Sequence, residues 1–157
     1  MTFDNLASGL LGAIVGLGGA VVIQWRLDRL DGRSAARAVY MEIDANGVPL
    51  MLAMESGVYA PLFDATWLAS LARLSRLLSP AELVTVGRFY QFVHAIQGRG
   101  YPVAGSGSPK LQSVARDAFM ANREAAIVLE KRGWWPWERE GLHDAPKAGP
   151  DGDSRTP

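Results

Sequence analysis

Residues 9–25 read GLLGAIVGLGGAVVIQW, and this stretch decides how the rest of the chain is interpreted. It lies within 21 consecutive uncharged residues, Asn5 to Trp25. As an α-helix, such a run is about 31 Å long, close to the hydrocarbon thickness of a bilayer. Nine of its residues are Leu, Ile or Val, which favour insertion, whereas its five glycines weaken the signal. The sequence therefore predicts a transmembrane helix within residues 1–25.

Three other interpretations of this stretch fit less well. A dinucleotide-binding loop needs G-x-G-x-x-G, but Val21 stands where the third glycine belongs after Gly16 and Gly18. A secretory signal peptide begins with basic residues, whereas the only charge before the run is Asp4. A buried core helix is the remaining alternative, and the length of the uncharged run argues against it.

Small residues recur within the predicted span at intervals of four: Ser8, Gly12, Gly16 and Ala20. At this spacing they share one helical face, and such faces let two helix backbones approach closely in lipid. The spacing predicts contact with a second copy or with a partner membrane helix. The alternative is that the spacing is accidental.

Four arginines follow the span, Arg26, Arg29, Arg33 and Arg37, and form a stripe on one side of a continuing helix. Basic residues beside a span favour the cytoplasmic side, so they predict an outward N-terminus and a cytoplasmic C-terminal domain at a bacterial-type inner or plasma membrane. Trp25 lies at the predicted boundary. The arginines also suit anionic lipid headgroups, but Asp28 and Asp31 alternate with them and favour local ion pairs instead.

The remaining sequence predicts an all-α fold, an antiparallel bundle of three to four helices. Residues 26–56 are expected to form a juxtamembrane helix that kinks or stops near Pro49, residues 57–137 the bundle, and residues 138–157 a disordered tail. Residues 98–109 read as a flexible glycine-rich connector. The helix signals are an apolar face of Trp67, Leu68, Leu71, Leu74 and Leu78, a capping box at Ser79 and Glu82, a start at Ser108 and Pro109, and a stop at Gly133.

Three tryptophans lie close together after the last predicted helix: Trp134, Trp135 and Trp137. Indole rings are suited to docking on a bundle, to the membrane interface and to contact with a partner. The sequence alone leaves these three interpretations open.

No catalytic constellation is evident. The chain has no cysteine and two histidines, of which His94 is expected at a core or boundary position and His143 in the tail. Glu42 and Asn46, one helical turn apart, suit a polar contact with a neighbouring helix. With a net charge of zero and no strongly basic cluster, nucleic-acid binding is not expected. We expect no enzyme, cofactor, metal or small-molecule substrate.

These observations favour a single-pass membrane protein that acts as an accessory or scaffold subunit of a membrane complex, with the lipid bilayer and either a membrane protein or a second copy as partners. One alternative is a phage or bacterial membrane-active protein (lysis, toxin or exclusion) whose glycine-rich helix self-associates. The other is a soluble helical binding module whose first helix is buried.

Overall fold

The computed structural model describes the backbone of residues 3–99 and 108–143, and the side chains of residues 16–99 and 108–139. This part of the chain is all-α and contains no strand, which confirms the all-α class and is consistent with the predicted helical bundle. Its helices are α1 (Phe3–Ser56), α2 (Ala65–Leu77), α3 (Pro80–Gln97), α4 (Pro109–Gly133) and α5 (Pro136–His143).

The bundle is built around the C-terminal half of α1. Helices α2 and α4 pack on α1, and α3 packs on α4. Val39, Ile43 and Leu50 recur at steps of four and seven along α1 and are almost completely buried. That periodicity places them on one face, which forms a wall of the core. The largest fully buried side chains supplied by the other helices are Leu74, Val86, Phe89, Tyr90, Val93, Ile96, Leu111 and Leu129.

Pro49 lies inside α1 and does not end it, so the predicted stop is not observed there. The helix continues to Ser56 and ends where Gly57 adopts a φ of 66° and donates its N–H to the Ala53 carbonyl at 2.9 Å. A left-handed glycine is the usual way to close a helix. Because Leu50 and Ala53 beyond the proline remain on the buried face, packing holds the helix together. The α1 residues between Ala35 and Ala53 thus share one core with the rest of the bundle.

Local capping signals are confirmed. The Ser79 side chain accepts from the Glu82 N–H and the Glu82 carboxylate accepts from the Ser79 N–H, which is the predicted capping box of α3. Ser108 caps α4 by accepting from the Leu111 N–H. The helices α3 and α4 then end at Gln97 and Gly133, where the glycine signals predict.

The predicted apolar face of α2 is only half correct. Trp67, Leu74 and Leu78 are buried, but Leu68 and Leu71 are exposed. Within the described residues α2 packs chiefly on α1 and meets α3 mainly through Trp67, which stacks on Tyr90 with ring centroids 4.9 Å apart, so only a narrow stripe of its surface is covered. Spacing alone cannot reveal the width of that stripe.

The apolar first part of α1 extends beyond the bundle. Leu17, Val21, Val22 and Ile23 are between 62% and 69% exposed, which rules out the buried-helix alternative for these residues. Among the residues that the structure describes, no helix is long and apolar enough to cross a membrane. The side chains of residues 5–15, with Ser8 and Gly12, lie outside those residues.

Further predictions also fall outside the described residues. They concern residues 100–107 of the glycine-rich connector and residues 144–157 of the tail. Residues 138–143, predicted as disordered, belong to α5.

Glu82 gives the bundle an acid-sensitive contact. Its carboxylate accepts two hydrogen bonds from Arg132, at 2.8 and 3.1 Å, and together with the Ser79 contacts these lower the pKa of Glu82 from its ordinary value of 4.5 to about 2. A carboxylate with a lowered pKa stabilises the fold fully at pH values above its pKa in the unfolded state. This stabilisation is lost as the pH falls towards its pKa in the folded state. We expect the free energy of unfolding to fall between about pH 5 and about pH 2. In urea unfolding followed by circular dichroism, Glu82→Gln should abolish that part of the pH dependence. The control is Glu124→Gln on the exposed face of α4. If it removed the pH dependence to the same extent, the assignment to Glu82 would be contradicted.

Candidate functional site

The arginine stripe of α1 and the tryptophan cluster after α4 meet in the folded chain. We call this surface the arginine–tryptophan junction; it comprises Trp25, Arg26, Arg29, Arg33, Arg37, Trp134, Trp135 and Trp137. Helix α4 packs along α1 and ends beside Arg37, where a Cβ built on Gly133 would lie 3.3 Å from the Arg37 Cγ. This close approach brings the following tryptophans onto the arginines.

Arg37 holds the end of α4 and the start of α5 together. Its Nε donates to the Gly133 carbonyl at 2.8 Å, and its Nη2 donates to the Glu138 carboxylate at 2.6 Å. The buried Trp134 ring packs edge-on against Tyr40, with ring centroids 5.1 Å apart, and the Arg37 guanidinium lies 5.4 Å from the Trp134 centroid. Trp134 is therefore docked on the bundle.

Arg33 stacks on Trp135, with its guanidinium carbon 3.2 Å from the ring centroid. Trp135 in turn stacks on Trp137, with centroids 5.0 Å apart, and Trp137 is 66% exposed. Arg33 Nε and Nη1 are buried without a hydrogen-bond acceptor among the described residues. Their burial, together with the charges of Arg29 and Arg37, lowers the pKa of Arg33.

Glu138 fixes the start of α5. Its carboxylate accepts from the Trp135 N–H at 2.7 Å and from Arg37, so it serves as both a cap and an ion-pair partner. The Trp135 hydrogen bond, followed by the Arg37 contacts, lowers the pKa of Glu138. The contact is therefore retained at neutral pH.

A cleft of about 400 Å³ opens at the junction, where α1 leaves the bundle. Its walls carry three arginines and no carboxylate; the lining residues are Val22, Trp25, Arg26, Arg29, Leu30, Arg33 and Trp135. The Arg29 guanidinium lies 5.2 Å from the ring centroid of Trp25, which is itself 60% exposed. Chemically, the cleft offers positive charge and apolar surface side by side.

Asp28 and Asp31 do not form the predicted ion pairs within α1. They face α2 instead, where Asp28 lies 3.3 Å from Arg76 and Asp31 lies 3.4 Å from Arg73. Exposed pairs of this kind contribute roughly 0–1 kcal/mol each. Because Asp28 and Asp31 pair with α2, these two carboxylates do not neutralise the arginines of the junction.

The buried polar pair of α1 serves the fold. The Glu42 carboxylate accepts from the N–H groups of Thr66 and Trp67, at 2.7 and 3.1 Å, and from the Tyr90 hydroxyl at 2.7 Å. It thus binds the N-terminus of α2, where the Asp64 side chain makes no capping bond. Asn46 exchanges two hydrogen bonds with the backbone of Phe63. The predicted polar contact to a neighbouring element is confirmed.

His94 lies at the boundary of the bundle. Its side chain is half exposed, and its Nδ1 lies 3.3 Å from an Asp64 carboxylate oxygen. Among the described residues, no group of three His, Cys, Asp or Glu side chains is arranged to hold a metal ion.

Comparisons with protein-family models, with curated proteins and with solved structures give no match for this chain.

Tyr90 is expected to stabilise the fold through its bond to Glu42. Burial and the Glu42 carboxylate raise the pKa of Tyr90 above its ordinary range, so the hydroxyl remains a donor. Tyr90→Phe removes one donor from a buried carboxylate and should cost roughly 1–3 kcal/mol of unfolding free energy. Tyr40→Phe makes the same chemical change where the structure shows no hydroxyl hydrogen bond. If denaturant unfolding gave equal losses of unfolding free energy for the two variants, the stabilising role of the hydrogen bond from Tyr90 to Glu42 would be contradicted.

Glu138 is expected to hold α5 on the junction. Glu138→Gln removes the charge that Arg37 pairs with and weakens the cap on Trp135, so we expect faster tryptic cleavage after Arg139 and an emission shift of the tryptophans towards that of exposed indole. Asp117→Asn, on the exposed side of α4, is the matched control. Unchanged cleavage and emission in Glu138→Gln would show that α5 is held by other contacts.

Proposed function

We propose that this chain is a single-pass membrane-anchored protein in which the helical bundle acts as an accessory or scaffold subunit of a membrane complex. The observation that carries the proposal is the exposed apolar part of α1. Leu17, Val21, Val22 and Ile23 are all more than 60% exposed and receive no cover from the bundle. Soluble monomers rarely expose contiguous apolar surface of this kind, whereas a lipid-facing helix requires it.

The arginine–tryptophan junction supports the proposed membrane boundary. Trp25 and Trp135 line one cleft beside Arg26, Arg29 and Arg33, immediately after the uncharged run. Tryptophan is enriched at membrane interfaces, and basic residues beside a span favour the cytoplasmic side. This arrangement supports the predicted orientation, with the bundle in the cytoplasm.

The use of the polar side chains supports a scaffold role. The buried Glu42 and Asn46 are engaged by backbone N–H and carbonyl groups, so their hydrogen bonds serve the connection between α1 and α2. Glu82 is likewise engaged by Ser79 and Arg132. In each case the acidic or amide group secures one part of the bundle to another.

A second candidate is a membrane-active protein whose glycine-rich helix self-associates. It is favoured by the open surroundings of Gly16, Gly18 and Gly19, because a Cβ built on any of them meets no atom within 4 Å. Induced expression separates the two candidates: growth arrest with dye leakage supports the membrane-active protein, and normal growth supports the scaffold.

Fractionation of expressing cells is expected to place the chain in the membrane pellet after an alkaline carbonate wash. Protease added to the outer face of intact spheroplasts should leave a C-terminal tag uncut. The same protease should cut the tag in inverted vesicles, which expose the cytoplasmic face. The double variant Leu17→Arg with Val21→Arg should lose retention, because each arginine within a span costs up to about 3 kcal/mol.

The matched control places arginines at Leu68 and Val84, which are exposed on α2 and α3 and are 60% and 64% accessible. This control should remain in the pellet. Recovery of the unaltered chain in the wash without detergent would overturn the anchor, and a tag cleaved from outside would overturn the orientation.

A further inference from the structure

One face of α1 is exposed and uncharged from the apolar segment to the end of the bundle. We call it the α1 seam, and its members, all exposed, are Gly16, Ala20, Ile23, Leu27, Leu30, Ser34, Ala38, Met41, Ala45, Val48 and Leu52. At about 100° per residue they fall within one narrow stripe of the helix surface. The stripe lies on the side away from the buried Val39, Ile43 and Leu50.

The seam has no cover within the described chain. Val48 is 74% exposed, Ile23 62% and Met41 58%, although each is apolar and adds to a continuous surface. Beside Met41 an open groove of about 560 Å³ separates α1 from the segment before α2, and the half-exposed Phe63 forms part of its wall. A surface this long, apolar and uncharged is typical of a protein interface.

The spacing of the seam identifies the kind of partner it fits. Steps of three and four alternate from Ala20 to Ser34 and again from Ala38 to Leu52, which is the heptad pattern of helices that pack along their length. From Leu30 through Ser34 to Ala38 two steps of four follow each other, a stutter that locally unwinds a coiled coil. A helix packed along the whole seam must have its own stutter at the same level, as an identical helix in register does.

Charges beside the seam favour the same arrangement. Arg26 and Asp31 flank it on opposite sides and are five residues apart, the separation at which side chains on two parallel in-register helices meet. In the single chain Arg26 forms no ion pair with a described residue, and Asp31 reaches only the exposed Arg73, at 3.4 Å. Two copies would thus place Arg26 of each near Asp31 of the other.

We propose that two copies of this chain pair through the α1 seam as a parallel, in-register dimer. The dimer buries the exposed apolar side chains of both copies and places the small residues Ser34 and Ala38 at the stutter, where the helices approach closely. The parallel orientation rests on the proposed function, because two copies anchored in one membrane point the same way. The pairing within the bundle rests on the seam alone.

Disulfide crosslinking tests the pairing directly, because the chain has no cysteine of its own. Single cysteines are introduced into the full chain as Leu27→Cys, Val48→Cys or Met51→Cys, and membranes are treated with a mild oxidant. In an in-register dimer each seam cysteine lies beside the same cysteine of the other copy, so the first two variants should give a covalent dimer. Met51 is the matched control: it is 45% exposed on the same helix but lies off the seam, and its variant should remain largely uncrosslinked.

A second measurement does not depend on oxidation. Val48→Glu introduces a charge where the single chain is open to solvent, so the bundle should keep its helical circular dichroism while its native mass in detergent falls from two chains to one. Val84→Glu, at an exposed valine on α3 (64% against 74% for Val48), should leave the dimer intact. A monomeric unaltered chain, equal crosslinking at Met51, or a different protein on the seam would overturn the pairing.

The outcomes separate this inference from the anchor. Crosslinking at Val48 in a chain that fractionates without membrane would retain the dimer and overturn the proposed function. A membrane-bound chain with no seam crosslinks would retain the proposed anchor and overturn the dimer.

Discussion

The length of α1 is the constraint on which the rest of the structure depends. It contains 54 residues, about 81 Å of helix, whereas α4, the longest helix packed on it, contains 25, about 38 Å. Partners less than half as long cannot cover α1 from end to end. One stretch of one face is therefore core, another face is bare, and the first part extends beyond the bundle. The exposed apolar segment and the α1 seam are both surface that this mismatch in length leaves uncovered.

Buried polar contacts fix how the shorter helices sit on α1. Glu42 binds the N-terminus of α2, and Asn46 binds the backbone just before it, so two consecutive turns of α1 specify one position along the helix. Apolar packing by itself tolerates sliding, because Leu, Val and Ala differ little in what they accept as neighbours. The carboxylate and the amide remove that freedom, since a shift by one turn would leave buried groups without partners.

Features encoded within a few residues were predictable from the sequence. The capping box of Ser79 and Glu82 and the cap at Ser108 depend on atoms three residues apart, and both are present. Features that join distant parts were less accessible. The stacking of Arg33 on Trp135 links residues 102 positions apart. Asp28 and Asp31 form ion pairs with arginines of α2, although arginines of α1 are nearer in the sequence. The exposure of Leu68 follows from which helices happen to neighbour α2. Spacing defines a face, and only the packed arrangement shows whether anything covers it.

The ion pair between Arg37 and Glu138 joins an early part of the chain to a late one, and this separation has a consequence during synthesis. The two residues are 101 positions apart, which corresponds to roughly 5–20 s at 5–20 residues per second. Throughout that interval the arginine stripe lacks Glu138 and the indole rings of Trp134 and Trp135. An anchor of the proposed kind, oriented as it leaves the ribosome, would therefore be oriented before these groups reach the arginines. The tryptophan segment would be made later and would then cover part of the stripe.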